Sequence, residues 1–191
     1  MTTVILVNLG DGRVVSGCDA QVSAGDVPMD SYGEKIFRWK DWVIGLCGVA
    51  QTRQELIRRL DALPEREVGY TVDEIAGVMR GIYDWLNPAE GFSDILLTST
   101  ALNLAGDRYN PVYLVNHLGA IAVSPQPFWW ACGSGAAYAI GYLYGKPPVG
   151  TGVKSLGVVG YVKGALACAS RFDVWTGTRH IVKMWEVKNE S

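Results

Sequence analysis

The second residue of the chain, Thr2, has a functional group that could act as a nucleophile without help from a histidine. Threonine is small enough at this position to favour removal of Met1, which would leave Thr2 with both a hydroxyl and a free α-amine. The ordinary pKa of such an amine, about 7.7–8.0, makes it a usable base near neutral pH. A terminal threonine and its own amine form a recognised nucleophile–base pair. The alternative is that Thr2 only begins a strand, since β-branched Val4, Ile5 and Val7 follow it.

The composition argues against several other kinds of site. The two histidines, His117 and His180, are too few for a histidine metal cluster and argue against a Ser–His–Asp site. No metal and no cofactor is therefore expected. The four cysteines fall singly within apolar runs, with no C-x-x-C spacing, and are interpreted as buried thiols of a reducing compartment. These cysteines are Cys18, Cys47, Cys132 and Cys168.

The charge and hydropathy of the chain do not indicate a particular class of binding partner. The chain has 191 residues, 49% of them hydrophobic, and a net charge of −2. This balance predicts neither a nucleic-acid partner nor an anionic membrane partner. The start of the sequence has no basic n-region, so a cytoplasmic protein is expected. The uncharged stretch Pro127–Gly145 is interrupted by glycines and predicts a buried strand, a turn and a core helix rather than a membrane span.

Apolar periodicity divides the chain into groups of strands and helices. Two helices are predicted in the first half, one over Gln51–Leu63 and one from the capping box Thr71–Glu74 to Asn87-Pro88. Two more are predicted in the second half, one ending at Gly145 and one over Ser155–Ala169. The polar stretch from Asp19 to Glu34 is expected to be a long loop.

The glycines of the last predicted helix, Gly157, Gly160 and Gly164, each weaken a helix by up to ~1 kcal/mol relative to alanine. They therefore indicate a neighbour that packs very close to the helix backbone.

The order of these elements is strands, two helices, strands, two helices, strands. It predicts an α+β fold, a four-layer αββα sandwich with two antiparallel sheets between two helix pairs. Such layers bury both faces of both sheets, as continuously apolar strands require. We expect one domain over residues 1–191, with Thr2 at the open end of a strand inside a sheet.

Six short motifs occur along this order. They are Thr2–Val4, Gly17–Gln21, Lys35–Ile36, Leu46–Ala50, Ala131–Ala139 and Arg171–Gly177. Each motif alone is weakly diagnostic, but together and in this order they resemble the proteasome β-type subunits, with a size and style closest to bacterial HslV. These proteins are N-terminal-nucleophile hydrolases. Between Leu63 and Phe92 the resemblance is limited to helical character.

The resemblance implies a threonine peptidase in which the Thr2 hydroxyl attacks a peptide carbonyl and forms an acyl-enzyme. It implies that Lys35, beside Asp19, keeps positive charge near that hydroxyl. The alternative for Asp19 and Lys35 is a solvated surface pair.

Four further residues receive roles from the resemblance. The Gly48 backbone N–H is the candidate oxyanion donor, at a turn that opens a helix. Ser134 and Asp173 would hold the amine and its water, with Thr176 as a further hydroxyl where the family usually has serine. Gly48 could instead be only a turn glycine, and Ser134 only a helix cap.

By the same resemblance, a peptide would bind as an extended strand between the Gln21–Gly25 segment and the Gly48 turn. The side chains expected to line the pocket beside the reacting carbonyl are Val22, Ser23, Leu46 and Ala50.

The resemblance also implies homo-oligomeric stacked rings that enclose the sites, unfolded protein or peptide as substrate, and an ATP-dependent unfoldase as a partner to test for. Two other functions are compatible with the sequence. One is a catalytically silent subunit that uses the fold as a ring-forming scaffold, and the other is a hydrolase of small amides from the same superfamily.

Overall fold

The computed structural model describes residues 2–24, 27–32, 34–66, 69–83, 93–101, 110–124, 129–147 and 155–186, with 22–24 and 27–32 described by their backbone. These residues form an α+β fold of antiparallel sheets and four helices. The strands, in chain order, are β1 (Thr3–Asn8), β2 (Val14–Asp19), β3 (Gln21–Ala24), β4 (Val27–Tyr32), β5 (Ile36–Trp39), β6 (Trp42–Cys47), β7 (Asp94–Ser99), β8 (Tyr113–Val115), β9 (Ile121–Val123), β10 (Trp129–Gly133) and β11 (His180–Trp185). The helices are α1 (Ala50–Asp61), α2 (Val72–Tyr83), α3 (Ala136–Tyr144) and α4 (Ser155–Phe172).

The first sheet has the order β10-β1-β2-β11, so the N-terminal strand lies inside it, as predicted. All six residues of β1 are buried, as expected of a central strand covered on both faces. The β1–β2 hairpin turns at Gly10 and Gly12, whose φ angles of 77° and 81° suit glycine. This arrangement places the residue before β1, Thr2, at an end of the sheet.

The second sheet has the order β5-β6-β7-β8-β9, and all its neighbouring strands are antiparallel. The prediction of a long loop after Asp19 was wrong, because β3 and β4 pair there as a separate two-stranded sheet. The loop was predicted because Gly25, Pro28 and Gly33 fall within this stretch, and glycine and proline usually interrupt strands.

The predicted helices are present, with ends that differ by a few residues. The capping box of α2 forms, since Thr71 N–H donates to Glu74 Oε2 at 2.9 Å and Glu74 N–H donates to Thr71 Oγ1 at 3.3 Å. The predicted end of this helix, at Asn87-Pro88, lies outside the described residues. The uncharged stretch ending at Gly145 forms β10, a turn and α3, and none of the helices in the described ranges is long and apolar enough to cross a bilayer.

Three apolar clusters hold these elements together. One joins the five-stranded sheet to α1 and α2, and includes Ile44, Leu56 and Met79. A second joins the four-stranded sheet to α3 and α4. The third lies between the two larger sheets, where Val4 and Leu6 of β1 meet residues of β6 and β7. The inter-sheet cluster fixes the position of β1 relative to β6, and thereby of Thr2 relative to the residues that follow β6.

The expected close neighbour of the last helix is present at one glycine and missing at another. A Cβ on Gly164 would collide with the Tyr142 ring of α3, so this glycine allows the two helices to approach closely. Gly160 has nothing within 4 Å of such a Cβ, so the same explanation is wrong there.

Candidate active site around Thr2

Thr2 lies directly before β1 and is only 4% exposed. Its Oγ1 donates to Asp19 Oδ1 at 2.5 Å and accepts a hydrogen bond from the Lys35 ammonium. Lys35 Nζ also lies 2.9 Å from Asp19 Oδ2. The three residues that the sequence analysis grouped are thus in direct contact, with the hydroxyl between a carboxylate and an ammonium.

Asp19 is the last residue of β2 and is fully buried. Beyond Thr2 and Lys35, its carboxylate accepts backbone N–H groups from Thr3 at 2.7 Å, Gln21 at 3.2 Å and Gly177 at 3.4 Å. A buried charge is tolerated when it is paired and hydrogen-bonded in this way. The alternative of a solvated surface pair is therefore wrong, since the Asp19 side chain is 0% and the Lys35 side chain 15% exposed.

Lys35 is positioned by the five-stranded sheet. It immediately precedes β5, and its carbonyl accepts a hydrogen bond from the Leu46 N–H at 2.9 Å. Thr2 and Asp19 thus come from the four-stranded sheet, and Lys35 from the start of the five-stranded sheet. The packing between the two sheets therefore sets the distance between the Thr2 hydroxyl and the Lys35 ammonium.

A second polar cluster lies beside the first. Asp173, just after α4, accepts hydrogen bonds through Oδ2 from Ser134 Oγ and Thr176 Oγ1, each at 2.6 Å. Burial by itself would raise the pKa of the Asp173 carboxyl. The hydroxyl hydrogen bonds and the Trp175 backbone N–H outweigh burial and hold that pKa below its ordinary value.

Thr3 connects the two clusters, a role that was not predicted from the sequence. Its backbone N–H binds Asp19, and its Oγ1 lies 2.7 Å from Thr176 Oγ1. Because the single hydroxyl proton of Thr176 is donated to Asp173, the Thr3 hydroxyl is the donor in this contact. A signal was present in the sequence, since two adjacent threonines open a strand that is otherwise apolar.

Two glycines border Thr2. Gly133 lies opposite Thr3 in the β1–β10 pairing, with a φ of 97°, and a Cβ there would collide with the Thr2 carbonyl. Gly48 has a φ of 131°, is exposed, and lies between β6 and α1. Both positions favour glycine because an L side chain would be strained or obstructed.

The interpretation of all four cysteines as separate thiols was wrong for two of them. Cys47 and Cys132 form a disulfide with a Cα–Cα distance of 6.5 Å. Their separation of 85 residues leaves no local spacing signal, and they meet only because β6 and β10 belong to facing sheets. Cys18 and Cys168 are free, and burial raises the pKa of Cys18 to about 11.

The residues predicted to bind substrate are only partly described. Gln21 begins β3 and is half-buried, with its N–H on Asp19. Val22 and Ser23 continue β3, but their side chains and Gly25 lie outside the described residues. Leu46 is buried in the cluster under α1 and α2, whereas Ala50 is exposed at the start of α1. Their pocket-lining roles stay predictions.

One further polar pair was not anticipated. His180, the partner of Asp19 in the β2–β11 register, has its Nε2 2.7 Å from Ser170 Oγ. Burial lowers the pKa of His180. Within the described residues, no group of three or more His, Cys, Asp or Glu side chains is placed to hold a metal ion.

Comparison with known proteins bears on the fold. No protein-family model and no curated protein sequence matches the chain. Among solved structures, eukaryotic HslV from Trypanosoma brucei is similar over 97% of this chain and 99% of its own, with 20% identity and a TM-score of 0.69. BPH from Thiobacillus denitrificans is similar over 98% and 100%, with 19% identity and a TM-score of 0.68.

The Anbu complex from Pseudomonas aeruginosa, a helical assembly, is similar over 96% of this chain and 81% of its own, with 15% identity and a TM-score of 0.74. Sequence identities of 15–20% show a similarity of fold only. The chain therefore has the same fold as these HslV, BPH and Anbu structures.

Proposed function

We propose that this chain is a subunit of a self-compartmentalising threonine endopeptidase in which Thr2 is the nucleophile. One observation carries the proposal: the Thr2 hydroxyl is buried between the Asp19 carboxylate and the Lys35 ammonium. A threonine that merely began a strand would have no need of a buried ion pair on its hydroxyl, because isolating two charges from water is costly.

The chemistry begins once the peptide bond before Thr2 is cleaved. The freed α-amine takes the proton of the Thr2 hydroxyl, directly or through a water, while Oγ1 attacks the substrate carbonyl. Asp19 is occupied by donors on both oxygens and serves to orient the hydroxyl and Lys35. The Lys35 ammonium stabilises the negative charge that develops on Oγ1.

The remaining residues complete the cycle. The backbone N–H of Gly48, an exposed residue two positions before α1, donates to the oxyanion. The protonated α-amine passes its proton to the leaving nitrogen as the tetrahedral intermediate collapses, which expels the amine product and leaves an ester on Thr2. Water, activated by the same α-amine, then hydrolyses that ester. Asp173, with Ser134 and Thr176, holds the amine and its water.

The proposed architecture is a four-layer αββα sandwich formed by one domain over residues 1–191. It is supported by the three apolar clusters, each of which joins two successive layers. Extended peptide would bind between the Gln21–Gly25 segment and the Gly48 turn, with Val22, Ser23, Leu46 and Ala50 beside the reacting carbonyl.

We further propose that copies of the chain assemble into stacked rings that enclose the sites, with an ATP-dependent unfoldase delivering substrate. Exposed apolar side chains next to the second polar cluster support contact between copies. Phe172 is 57% and Val174 82% exposed, and the Phe172 ring stacks on Tyr138.

The test combines chain-end analysis with activity. Intact mass spectrometry should find that the purified chain begins at Thr2, and fluorogenic peptides should be hydrolysed. Thr2→Ala should abolish hydrolysis and labelling by a threonine-directed epoxyketone while leaving assembly, measured by light scattering, intact. Thr2→Ser, which keeps a hydroxyl and an amine, is the matched control and should retain activity.

Activity that persists in Thr2→Ala would refute the proposal. A chain that keeps Met1 throughout, or that assembles normally but forms no epoxyketone adduct, would favour the scaffold function instead.

A further inference from the structure

The Cys47–Cys132 disulfide crosses the interface between the two larger sheets next to Thr2. Cys47 is the last residue of β6, and Cys132 is the fourth of five residues in β10. Each is 5% exposed, and both belong to the apolar cluster between the sheets. The bond is therefore a covalent connection between the sheet that holds Thr2 and the sheet that leads to Gly48.

Each half of the disulfide is followed by an exposed glycine that belongs to the candidate site or borders it. Cys47 precedes Gly48, the proposed oxyanion donor, and Cys132 precedes Gly133, which lies against the Thr2 carbonyl. The Cys47 sulfur is 3.4 Å from the position that a Cβ on Gly133 would occupy. The Cys47 sulfur thus lies next to Gly133, and the disulfide links the residue before Gly48 to the residue before Gly133.

We propose that Cys47 and Cys132 are a redox site whose co-reactant is a dithiol reductant, and that opening the bond displaces the Gly48 N–H from the oxyanion position. The effect on catalysis rests on the proposed peptidase function, whereas the disulfide chemistry and the displacement do not.

The exchange reaction balances without any other reactant. A thiolate of the dithiol attacks one cysteine sulfur, forming a mixed disulfide and releasing the other cysteine as a thiolate, which takes up a proton. The second thiol of the reductant then attacks the mixed disulfide, which frees the second cysteine and leaves the reductant as an oxidised cyclic disulfide. An oxidant of the disulfide class reverses both steps. The exposed glycines beside the cysteines give the reductant its approach.

Opening the bond must move the backbone because the site is closely packed. Bonded sulfurs lie about 2 Å apart, whereas non-bonded heavy atoms settle at about 3.5–4.0 Å. The two thiols must therefore separate by more than ~1 Å, and because both are buried in a close-packed interior, their neighbours must move. The adjacent glycines are the most compliant backbone positions, so the displacement is passed to Gly48 and Gly133. A shift of ~1 Å in a catalytic group can cost about 100-fold in rate.

The experiment uses the purified full chain, equilibrated either with oxidised or with reduced dithiothreitol. Alkylation with N-ethylmaleimide after unfolding, read by intact mass, should count two reactive thiols in the oxidised sample and four in the reduced one. On reduction, kcat for a fluorogenic peptide should fall by about tenfold or more with a smaller change in KM, because an oxyanion donor acts in the transition state. Reoxidation should restore kcat.

The variant Cys47→Ala/Cys132→Ala, which has neither the bond nor the two thiols, should have the same kcat in both samples. Cys168→Ala, which removes a free cysteine on α4, is the matched control and should keep the full response to reduction. Hydrogen exchange at Gly48 and Gly133 gives a readout that needs no hydrolysis, and it should accelerate on reduction in wild type and in Thr2→Ala alike.

Four reactive thiols in the oxidised sample would overturn the proposal, as would equal kcat in the two redox states. If the chain hydrolyses no peptide, the proposed function fails separately. The exchange measurement then decides this inference by itself, since unchanged exchange at both glycines would refute it and faster exchange would support it.

Discussion

Replacing Lys35 by methionine tests how much the buried ion pair beside Thr2 contributes to the free energy of unfolding. Methionine retains most of the aliphatic length of the side chain but removes the ammonium. Asp19, which is fully buried, would lose its charged partner and keep four neutral donors, from Thr2, Thr3, Gln21 and Gly177.

The magnitude follows from burial. Removing one partner of a buried pair typically costs about 3–5 kcal/mol, because the remaining charge stays isolated from water. We expect the lower end, about 3 kcal/mol, since the four neutral hydrogen bonds still stabilise the carboxylate and the Lys35 side chain is 15% exposed. For a domain of this size, that corresponds to a fall in Tm of about 6–12 °C.

The matched control is Lys183→Met. Lys183 pairs with Glu34, but the two side chains are 45% and 38% exposed. Such a surface pair contributes about 0–1 kcal/mol. Asp19→Asn combined with Lys35→Met removes both charges and should recover part of the loss relative to Lys35→Met alone.

The assay is urea unfolding at one fixed protein concentration, because assembly makes apparent stability depend on concentration. The midpoint should shift to lower urea for Lys35→Met at an unchanged m-value. A loss for Lys35→Met no greater than that for Lys183→Met would refute the reasoning about the buried pair.

Three more predictions address the residues around this pair. Gly133→Ala should lower stability by about 1–3 kcal/mol and lower activity, because of the left-handed φ and the collision with the Thr2 carbonyl. By contrast, Gly160→Ala, in an open stretch of α4, should stabilise by up to ~1 kcal/mol in the same urea unfolding assay. Equal effects of the two substitutions would contradict the packing argument. Thr3→Val should cost about 1 kcal/mol of stability, through loss of the hydrogen bond to Thr176, and should lower kcat more than KM. Thr3→Ser, the control, should match wild type. No effect of Thr3→Val on stability or kcat would show that Thr3 has no role in the site. Because burial lowers the pKa of His180, the unfolded chain binds a proton below about pH 6.5 more readily than the folded chain does, and stability falls as the pH falls. His180→Gln should therefore reduce the loss of stability between pH 7 and pH 5 in urea unfolding. An unchanged loss would contradict this role of His180.

Much of the secondary structure follows from local patterns in the sequence. The β-branched run after Thr2 forms β1, and the Thr71–Glu74 box begins α2 where it was predicted, because its hydrogen bonds join residues three apart. The strand pair β3–β4 was not predicted because Gly25, Pro28 and Gly33 favour a loop there, whereas the strands form by pairing with each other.

The candidate site likewise combines residue types that the sequence shows with contacts that only the tertiary structure provides. The residue types at Thr2, Asp19 and Lys35, and the glycines at the two turns, are properties of the sequence, and the motifs that contain them could be recognised in order. Their contact could not be obtained from local patterning. Asp19 and Lys35 come from different sheets, and the Thr3–Thr176 contact joins residues 173 positions apart.

The sequence by itself determined which groups are present, where strands and helices alternate, and that one threonine near the start could act as a nucleophile. Only the tertiary structure decided that Asp19 is buried, that Lys35 touches the Thr2 hydroxyl, and that Cys47 bonds Cys132. The physical reason is the packing of one sheet on the other. Propensity and periodicity act over a few residues, whereas burial and contacts between facing sheets depend on how distant segments are brought together.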